Sequence, residues 1–501
     1  MAENPRLPDQ VSFYHLFLLL LIPCQVLLSP VPNDQIFQYI DGHQKEYIQR
    51  LKDWVAIQSD SSDPRKRQDV NKMMEVTKDF ILQLGGTVEM ADIGEQRLAN
   101  GETIPLPPVI LAEIGNAENK PTVCFYGHMD VQPAKQEDGW STDPYTLVEK
   151  DGNLYGRGAS DDKGQVLALL HALESLINMN QDLPVNVKLF IEGMEETGSD
   201  GLEMLIENKK DTFFSNIDYI VVTDTPWLSK KPGITYGARG NCYFSIEVQS
   251  SKVDLHSGGF GGMVYEAMGD LIYLLNSLTD ANGRILVPGI YEAVAPLSEN
   301  EEDLYKDIEF DVDEQRANLG VKKFLHESKA DLLMHRCRYP SLSIHGIEGA
   351  FSGTGTKTVI PSKVIGKFSI RQVPNMEPSV VEKQVKDYLE SKFSERKSPN
   401  EMKITMIIGA KPWLTNMTEP QYHAARRAVT RVFNIEADMI RAGGTIPIAK
   451  TLEDYLGKSL MLLGIGGPDD ATHGQNEKIS KYNYIGGTKL YAAYLQELAS
   501  L

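Results

Sequence analysis

The sequence predicts an α/β protein: a larger domain on a mostly parallel sheet covered by helices, with a smaller α+β domain inserted into it. Three observations carry this. Up to about residue 236, short continuous apolar runs alternate with helical spacing, as in strands buried on both faces. From about Gly237 apolar and polar residues alternate instead, the pattern of a half-exposed antiparallel strand. After about residue 415 the helix–strand alternation resumes. Stretches 34–236 and 415–501 are therefore expected to form one domain, and 237–414 the insertion.

Each element follows from its residues. From Gln35, residues Phe37, Ile40, Tyr47, Ile48, Leu51, Trp54 and Val55 recur at near-helical spacing. Apolar runs at 108–112 and 122–126 read as strands, 164–177 as a helix, and 185–191 and 217–223 as two further strands. In the insertion, 243–248 alternates, 264–278 reads as a helix, and 341–344 and 364–371 read as strands, with the unit ending near Trp413. Residues 461–465 form a last buried strand.

Composition narrows the function classes. At 501 residues the chain exceeds one ordinary domain. Its 50 Lys and Arg against 69 Asp and Glu leave a net charge of −19, which disfavours a nucleic-acid backbone or an anionic membrane surface as partner. It leaves carboxylates for cations. Four cysteines in such a length cannot form a disulfide framework, so the fold rests on apolar burial.

The N-terminus points to export. Residues 16–22 are unbroken Leu, Phe and Ile, and Val26-Leu27-Leu28 follow after Pro23. The run is too short to span a bilayer but long enough for a signal-peptide core. Residues 1–32 are expected to be a signal peptide, leaving a secreted, extracellular protein with no membrane attachment. Its removal takes Cys24 and leaves Cys124, Cys242 and Cys337, an odd number, so at least one is free or bonds another chain. In a secreted chain the sequon Asn416-Met417-Thr418 would accept a glycan.

Chemistry gathers at strand ends, where open α/β sheets bind ligands. His128 and Asp130 follow one apolar run, Glu195 and Glu196 another, and Asp224 a third; Asp161-Asp162 precede a helix, and His473 follows the last strand. Singly, each has a plain reading: a structural histidine, a helix cap or a solvated loop charge. Together on one sheet edge they would repel unless cations neutralised them. Mixed imidazole and carboxylate ligation suits zinc, and manganese less selectively.

These residues, within Gly127-His128-Met129-Asp130, Gly158-Ala159-Ser160-Asp161-Asp162-Lys163-Gly164, Glu195-Glu196, Asp224 and His473, resemble the co-catalytic zinc peptidases of the M20 class. The phrases at 125–134, 191–196, 254–258, 341–351 and 475–478 are similar to its branch of carnosine dipeptidases and cytosolic non-specific dipeptidases. The resemblance spans nearly everything after residue 34, and the apparent signal sequence points to the secreted side of that branch. It implies a catalytic domain with an inserted lid and dimerisation domain, and two Zn2+ per subunit, with Mn2+ an alternative. By that resemblance His128 and Asp224 hold one metal, Glu196 and His473 the other, and Asp161 bridges. Glu195 is the implied general base and Asp130 the carboxylate that orients His128, while Asp162 is left as a structural or helix-start residue. In the inserted domain His256 is implied to stabilise the oxyanion across a homodimer interface. Arg371 is implied to capture the carboxylate of a small dipeptide, with Thr358, Thr445 and His473 also in contact.

Two departures bear on specificity. Ala442 stands where relatives usually carry an acidic residue, and Gly474 where serine is common; neither touches a proposed ligand. Hydrolysis of Xaa-His dipeptides such as carnosine or anserine is the favoured reading. A broad-specificity dipeptidase or N-acyl amino-acid hydrolase, and an inactive binding protein, are the alternatives.

Overall fold

A computed structural model describes residues 35–98, 100–179, 183–299 and 301–501. The expected signal segment lies outside them. The central sheet has nine strands, in the order Thr87–Ala91, Val109–Ile114, Asn186–Glu192, Thr122–His128, Tyr219–Val222, Ser459–Leu462, Gly233–Ala238 and Trp413–Leu414, with Asp438–Ala442 also paired to Gly233–Ala238. Its four middle strands, from Asn186–Glu192 to Ser459–Leu462, are mutually parallel. Antiparallel pairs flank them, among them Val109–Ile114 against Asn186–Glu192.

The continuous apolar runs have a direct cause. Successive side chains of a strand point to opposite faces, and here both faces are covered. Val123, Phe125, Val187, Leu189, Val221 and Met461 enter one core. Cys124, Tyr126, Phe190, Ile220, Val222, Leu460 and Leu462 enter the other. The first core is closed by helices Lys163–Asn178 and Lys481–Leu498 and by Gln35–Gly42 and Gln44–Val55, so the helical spacing from Gln35 is divided between two helices around His43. The second is closed by Leu202–Lys209 and Pro447–Leu456.

Between Gly240 and Ala410 the chain forms a second, antiparallel sheet, ordered Ser341–Glu348, Lys363–Gln372, Gly240–Gln249, Glu401–Ala410. In Gly240–Gln249, Cys242, Phe244, Ile246 and Val248 face a core shared with helices Ala267–Ser277 and Pro378–Arg396. That one-sided burial is the source of the alternation. Residues 301–337 hold three helices beyond the elements assigned from the sequence. The core made by Tyr305, Ile308, Leu333, Met334 and Cys337 takes in Ile440 of the central sheet, so this excursion packs back on the larger unit. Cys124, Cys242 and Cys337 are all free thiols, and all are buried.

His171 sits wholly buried in helix Lys163–Asn178, stacked on Tyr47 with ring centroids 3.8 Å apart. Burial pulls its pKa down from 6.5 to about 4, against the hydrogen bond to Glu174. The unfolded chain therefore protonates this ring first as pH falls, and the folded state loses stability between pH 6.5 and 4. Replacing His171 with Gln should remove about 2 kcal/mol from the stability difference between pH 7.5 and pH 5. Denaturant melts of both proteins at the two pH values check this; equal pH dependence contradicts it.

Candidate metal centre

The middle strands end level with one another: His128 lies beside Glu192, and Tyr126 beside both Phe190 and Val222. The residues just beyond those ends therefore converge. His128 is the last residue of its strand and is fully buried. Glu195 and Glu196 open a short 3-10 turn after Asn186–Glu192, and Asp224 lies two residues past Tyr219–Val222. Asp161 precedes helix Lys163–Asn178, and His473 belongs to the loop after Ser459–Leu462.

Asp161 stands between the two imidazoles. Its Oδ1 is 3.1 Å from His128 Nε2 and its Oδ2 is 3.0 Å from His473 Nε2. Asp224 Oδ2 lies 3.7 Å from the same nitrogen of His128, and Glu196 Oε2 lies 3.1 Å from His473 Nε2. Two triads result, His128–Asp161–Asp224 and Asp161–Glu196–His473, each with its potential ligand atoms within 4.8 Å of one another. Each offers one nitrogen and two carboxylates, with Asp161 common to both. His473 is the open side, its side chain 58% exposed.

The electrostatics favour cations. Burial, reinforced by Asp161, pushes the Asp224 carboxyl up to about 7, with His128 opposing. Burial also holds Glu195 well above the usual carboxylate range; His128 opposes this, while Asp224, Glu196 and Asp130 add to it. Burial would raise Asp161 as well, but hydrogen bonds from His128 and His473 hold it below its usual range. Hydrogen bonds to Asp161 and Glu196 raise His473 to about 11. In the chain alone, then, the clustered carboxylates favour the protonated forms of Asp224 and His473. Neutral imidazoles and ionised carboxylates around two divalent cations satisfy the same charges, and the donor set fits zinc.

A surrounding layer fixes these groups. The Asp130 carboxylate lies 3.3 Å from His128 Nδ1 and accepts the backbone N–H groups of Glu195 and Glu196 at 3.2 and 3.1 Å. One carboxylate thus sets both the ring of His128 and the turn carrying the glutamates, a common support for metal-ligating histidine. Asp162 occupies the helix-start position, but its side chain makes no cap. It turns inward and accepts from His128 N and Thr223 Oγ1. Gly127 makes room for it: a Cβ there would lie 2.7 Å from Asp162 Oδ2 and 2.4 Å from Val166 Cγ2.

The sequence alone assigns no role to Glu477, which is wholly buried. Its Oε1 accepts the N–H groups of Ser160 and Asp161, each at 3.0 Å, and its Oε2 accepts from Gly158 N and from Arg157 Nη1 at 2.7 Å. Glu477 thus shapes the loop that presents Asp161. Asp470 supports the facing loop, accepting from Ser160 Oγ, Gly467 N and Lys478 Nζ. Gln132 Nε2 donates to Glu196 Oε2 at 2.8 Å. The sequence signals for Glu477 are its place four residues after His473 and its membership of the 475–478 phrase, neither of which states a role.

The residues expected to touch substrate form two separate groups. Arg371 Nη1 donates to Thr445 Oγ1 at 2.6 Å, joining the inserted sheet to the loop after Asp438–Ala442. His256 ends the short strand Leu255–His256 and Thr358 immediately precedes its partner Val359–Ile360; both are exposed, and Ser257 N donates to Thr358 O. His256 Nδ1 accepts from Gly258 N, which leaves Nε2 as the ring's donor. Among the described residues, no hydrogen bond or ion pair joins His256, Thr358, Arg371 or Thr445 to the metal-ligand cluster.

Known proteins share this architecture. Residues 124–497 match the family model described as Peptidase family M20/M25/M40. The chain is 55% identical to a Beta-Ala-His dipeptidase of Rattus norvegicus, covering 95% of this chain and 98% of that one. It is 43% identical to a Cys-Gly metallodipeptidase of Schizosaccharomyces pombe, covering 93% and 98%. The crystal structure of human carnosine dipeptidase 1 superposes with a TM-score of 0.87 at 55% identity, covering 93% of this chain and 98% of that one.

Replacing Glu477 with Gln sets an amide N–H2 against backbone donors and leaves Arg157 without its counter-charge. Metal affinity should fall roughly tenfold or more, the scale set by losing such a supporting carboxylate. Competition against a chelator measures this, and an unchanged affinity would contradict the assignment.

Proposed function

The chain belongs to peptidase family M20/M25/M40, whose members hydrolyse peptide bonds, and we propose that it is a secreted dinuclear zinc dipeptidase cleaving Xaa-His dipeptides such as carnosine and anserine. The observation that carries the reading is the pair of triads sharing Asp161, with Glu195 beside Glu196 in the same short turn. The named relative at 55% identity, a Beta-Ala-His dipeptidase, supports the substrate class.

His128, Asp161 and Asp224 would hold one ion, and Asp161, Glu196 and His473 the other. A cation pair supplies acidification of a water and polarisation of the scissile carbonyl. The chain's own residues do the rest. Glu195 would accept the proton of the attacking water and pass it to the leaving amine. Asp130 keeps the His128 ring and the Glu195 turn in fixed relation. Arg371, backed by Thr445, receives the substrate carboxylate through guanidinium geometry.

The inserted unit acts as lid and dimer contact in this reading. His256, exposed and with Nε2 as its donor, serves the oxyanion of the partner subunit's site together with Thr358. Secretion is supported by the apolar run at 16–28. Asn416 is exposed, and its Oδ1 accepts from Thr418 Oγ1 at 2.8 Å, a surface turn open to glycosylation. A broader dipeptidase is the second reading, favoured by the Cys-Gly metallodipeptidase at 43% identity.

Comparing kcat/KM for carnosine, anserine, Cys-Gly and Ala-Leu separates the readings: the first predicts the two histidine dipeptides ahead, and equal values favour the second. Glu195→Gln should lower kcat by roughly 10²- to 10⁴-fold with metal content unchanged; full activity would remove Glu195 as base. Mixing His256→Ala with Glu195→Gln homodimers should restore part of the activity through mixed dimers. A fully active monomer would rule out the trans role.

A further inference from the structure

His256 and Thr358 are held in place without a core around them. Among the described residues, none of 251–266 and none of 349–359 is buried, so apolar packing does not fix where the imidazole stands relative to the threonine. A short antiparallel pairing brings the two segments together: Leu255 lies opposite Ile360, His256 lies opposite Val359, and Ser257 N donates to Thr358 O at 3.1 Å. So short a two-stranded ladder is a weak constraint by itself.

Asp254 ties that ladder at its far end. Its Oδ1 accepts from both Ser362 N, at 2.9 Å, and Ser362 Oγ, at 3.0 Å, across 108 positions of the sequence. Ser362 O in turn accepts from Ser250 N at 2.8 Å, so the turn 250–254 closes around Ser362 from both sides. An ionised acceptor makes such hydrogen bonds the stronger kind. The bonds from Ser362 hold the Asp254 carboxyl below its ordinary range; desolvation opposes this, and Lys357, next to Thr358, adds to it. On the other side of His256, Gly258 N donates to the ring's Nδ1 at 2.9 Å. A Cβ on Gly258 would fall 2.9 Å from His256 Cε1, so glycine is what lets the ring close on that amide. The ring is set from one side by Gly258, and the strand that carries it is set from the other by Asp254.

We propose that Asp254 is a positioning residue for the reaction: by clamping Ser362 it fixes His256 and Thr358 as one unit, and so sets how well His256 Nε2 reaches the developing oxyanion. It touches no reacting atom itself. The assignment rests on the reading of His256 as oxyanion donor to the partner subunit's site, and names a residue on which that role depends. A misplacement of about 1 Å in a catalytic group can cost about a hundredfold in rate, so a clamp on an otherwise unpacked segment has a measurable consequence.

Asp254→Ala in the zinc-loaded full chain should lower kcat roughly 10- to 100-fold while KM and metal content hold. KM separates positioning from general damage, because Ser362 leads into strand Lys363–Gln372, which carries Arg371, and a disordered sheet would raise it. Asp254→Asn keeps Oδ1 as an acceptor and should recover most of kcat. Mixed dimers give a second readout. Asp254→Ala mixed with Glu195→Gln should regain part of the activity, whereas Asp254→Ala mixed with His256→Ala should regain none, since both lesions fall on the same unit. Full kcat in Asp254→Ala, a KM that rises as far as kcat falls, or recovery with His256→Ala in place of Glu195→Gln overturns the proposal. Hydrogen exchange at the Ser257 and Gly258 amides reads the clamp without activity, and Asp254→Ala should speed it roughly tenfold. Should the protein hydrolyse no dipeptide, or His256→Ala keep full kcat, faster exchange upholds the clamp while the reading of His256 falls, and unchanged exchange overturns the clamp as well.

Discussion

The position of one carboxylate governs the rest of the molecule's chemistry. Asp161 presents an oxygen to each of two imidazoles, about 3 Å away on either side. A buried carboxylate so placed is stable only with positive charge on both flanks. That requirement accounts for the arrangement around it: Glu477 receives the backbone of the loop that carries it, Asp130 locks the ring on one side, and Asp470 supports the loop bearing the ring on the other. Three carboxylates thus serve to keep one carboxylate in place.

The sheet makes this convergence possible. Four parallel strands that stop level with one another deliver His128, the Glu195–Glu196 turn, Asp224 and the His473 loop to one edge. Both faces are buried, so the strands cannot slip register without carrying apolar side chains to the wrong core. The rigidity that holds the ligands is the same rigidity that forms the two cores. At the seam with the inserted unit the contacts are polar instead: Arg338 and Arg441 share the Glu301 carboxylate, while Arg239 and Arg371 donate to the neutral acceptors Gly443 O and Thr445 Oγ1.

Much of this is legible in the order of the amino acids, and the physical reason differs by element. Strands buried on both faces announce themselves as unbroken apolar runs, and the strand at 240–249 announces itself by alternation because one face is open. The residues beyond strand ends are visible as a group because their charges demand a common explanation. Less visible is whatever depends on contacts distant in sequence. The antiparallel setting of Val109–Ile114 has no signature in its own residues, since it is apolar on both faces either way. Within 301–337, helix Lys329–Cys337 does carry helical spacing in Ala330, Leu333, Met334 and Cys337, whereas helix Val312–Leu319 buries none of its residues and so has no apolar face to read. Asp162 and Glu477 read as ordinary acids, and only the fold shows one turned inward beneath His128 and the other threaded through the Asp161 loop. For His256 and Thr358 the limit is different, because one chain does not connect them to the metal ligands.

Anomalous diffraction at the zinc edge from crystals of the zinc-loaded protein would locate the ions around Asp161. Two peaks per chain are expected, one on either side of that carboxylate, the first against His128 and Asp224 and the second against Glu196 and His473. A single peak, or two peaks of which only one contacts Asp161, would contradict a carboxylate shared between two cations.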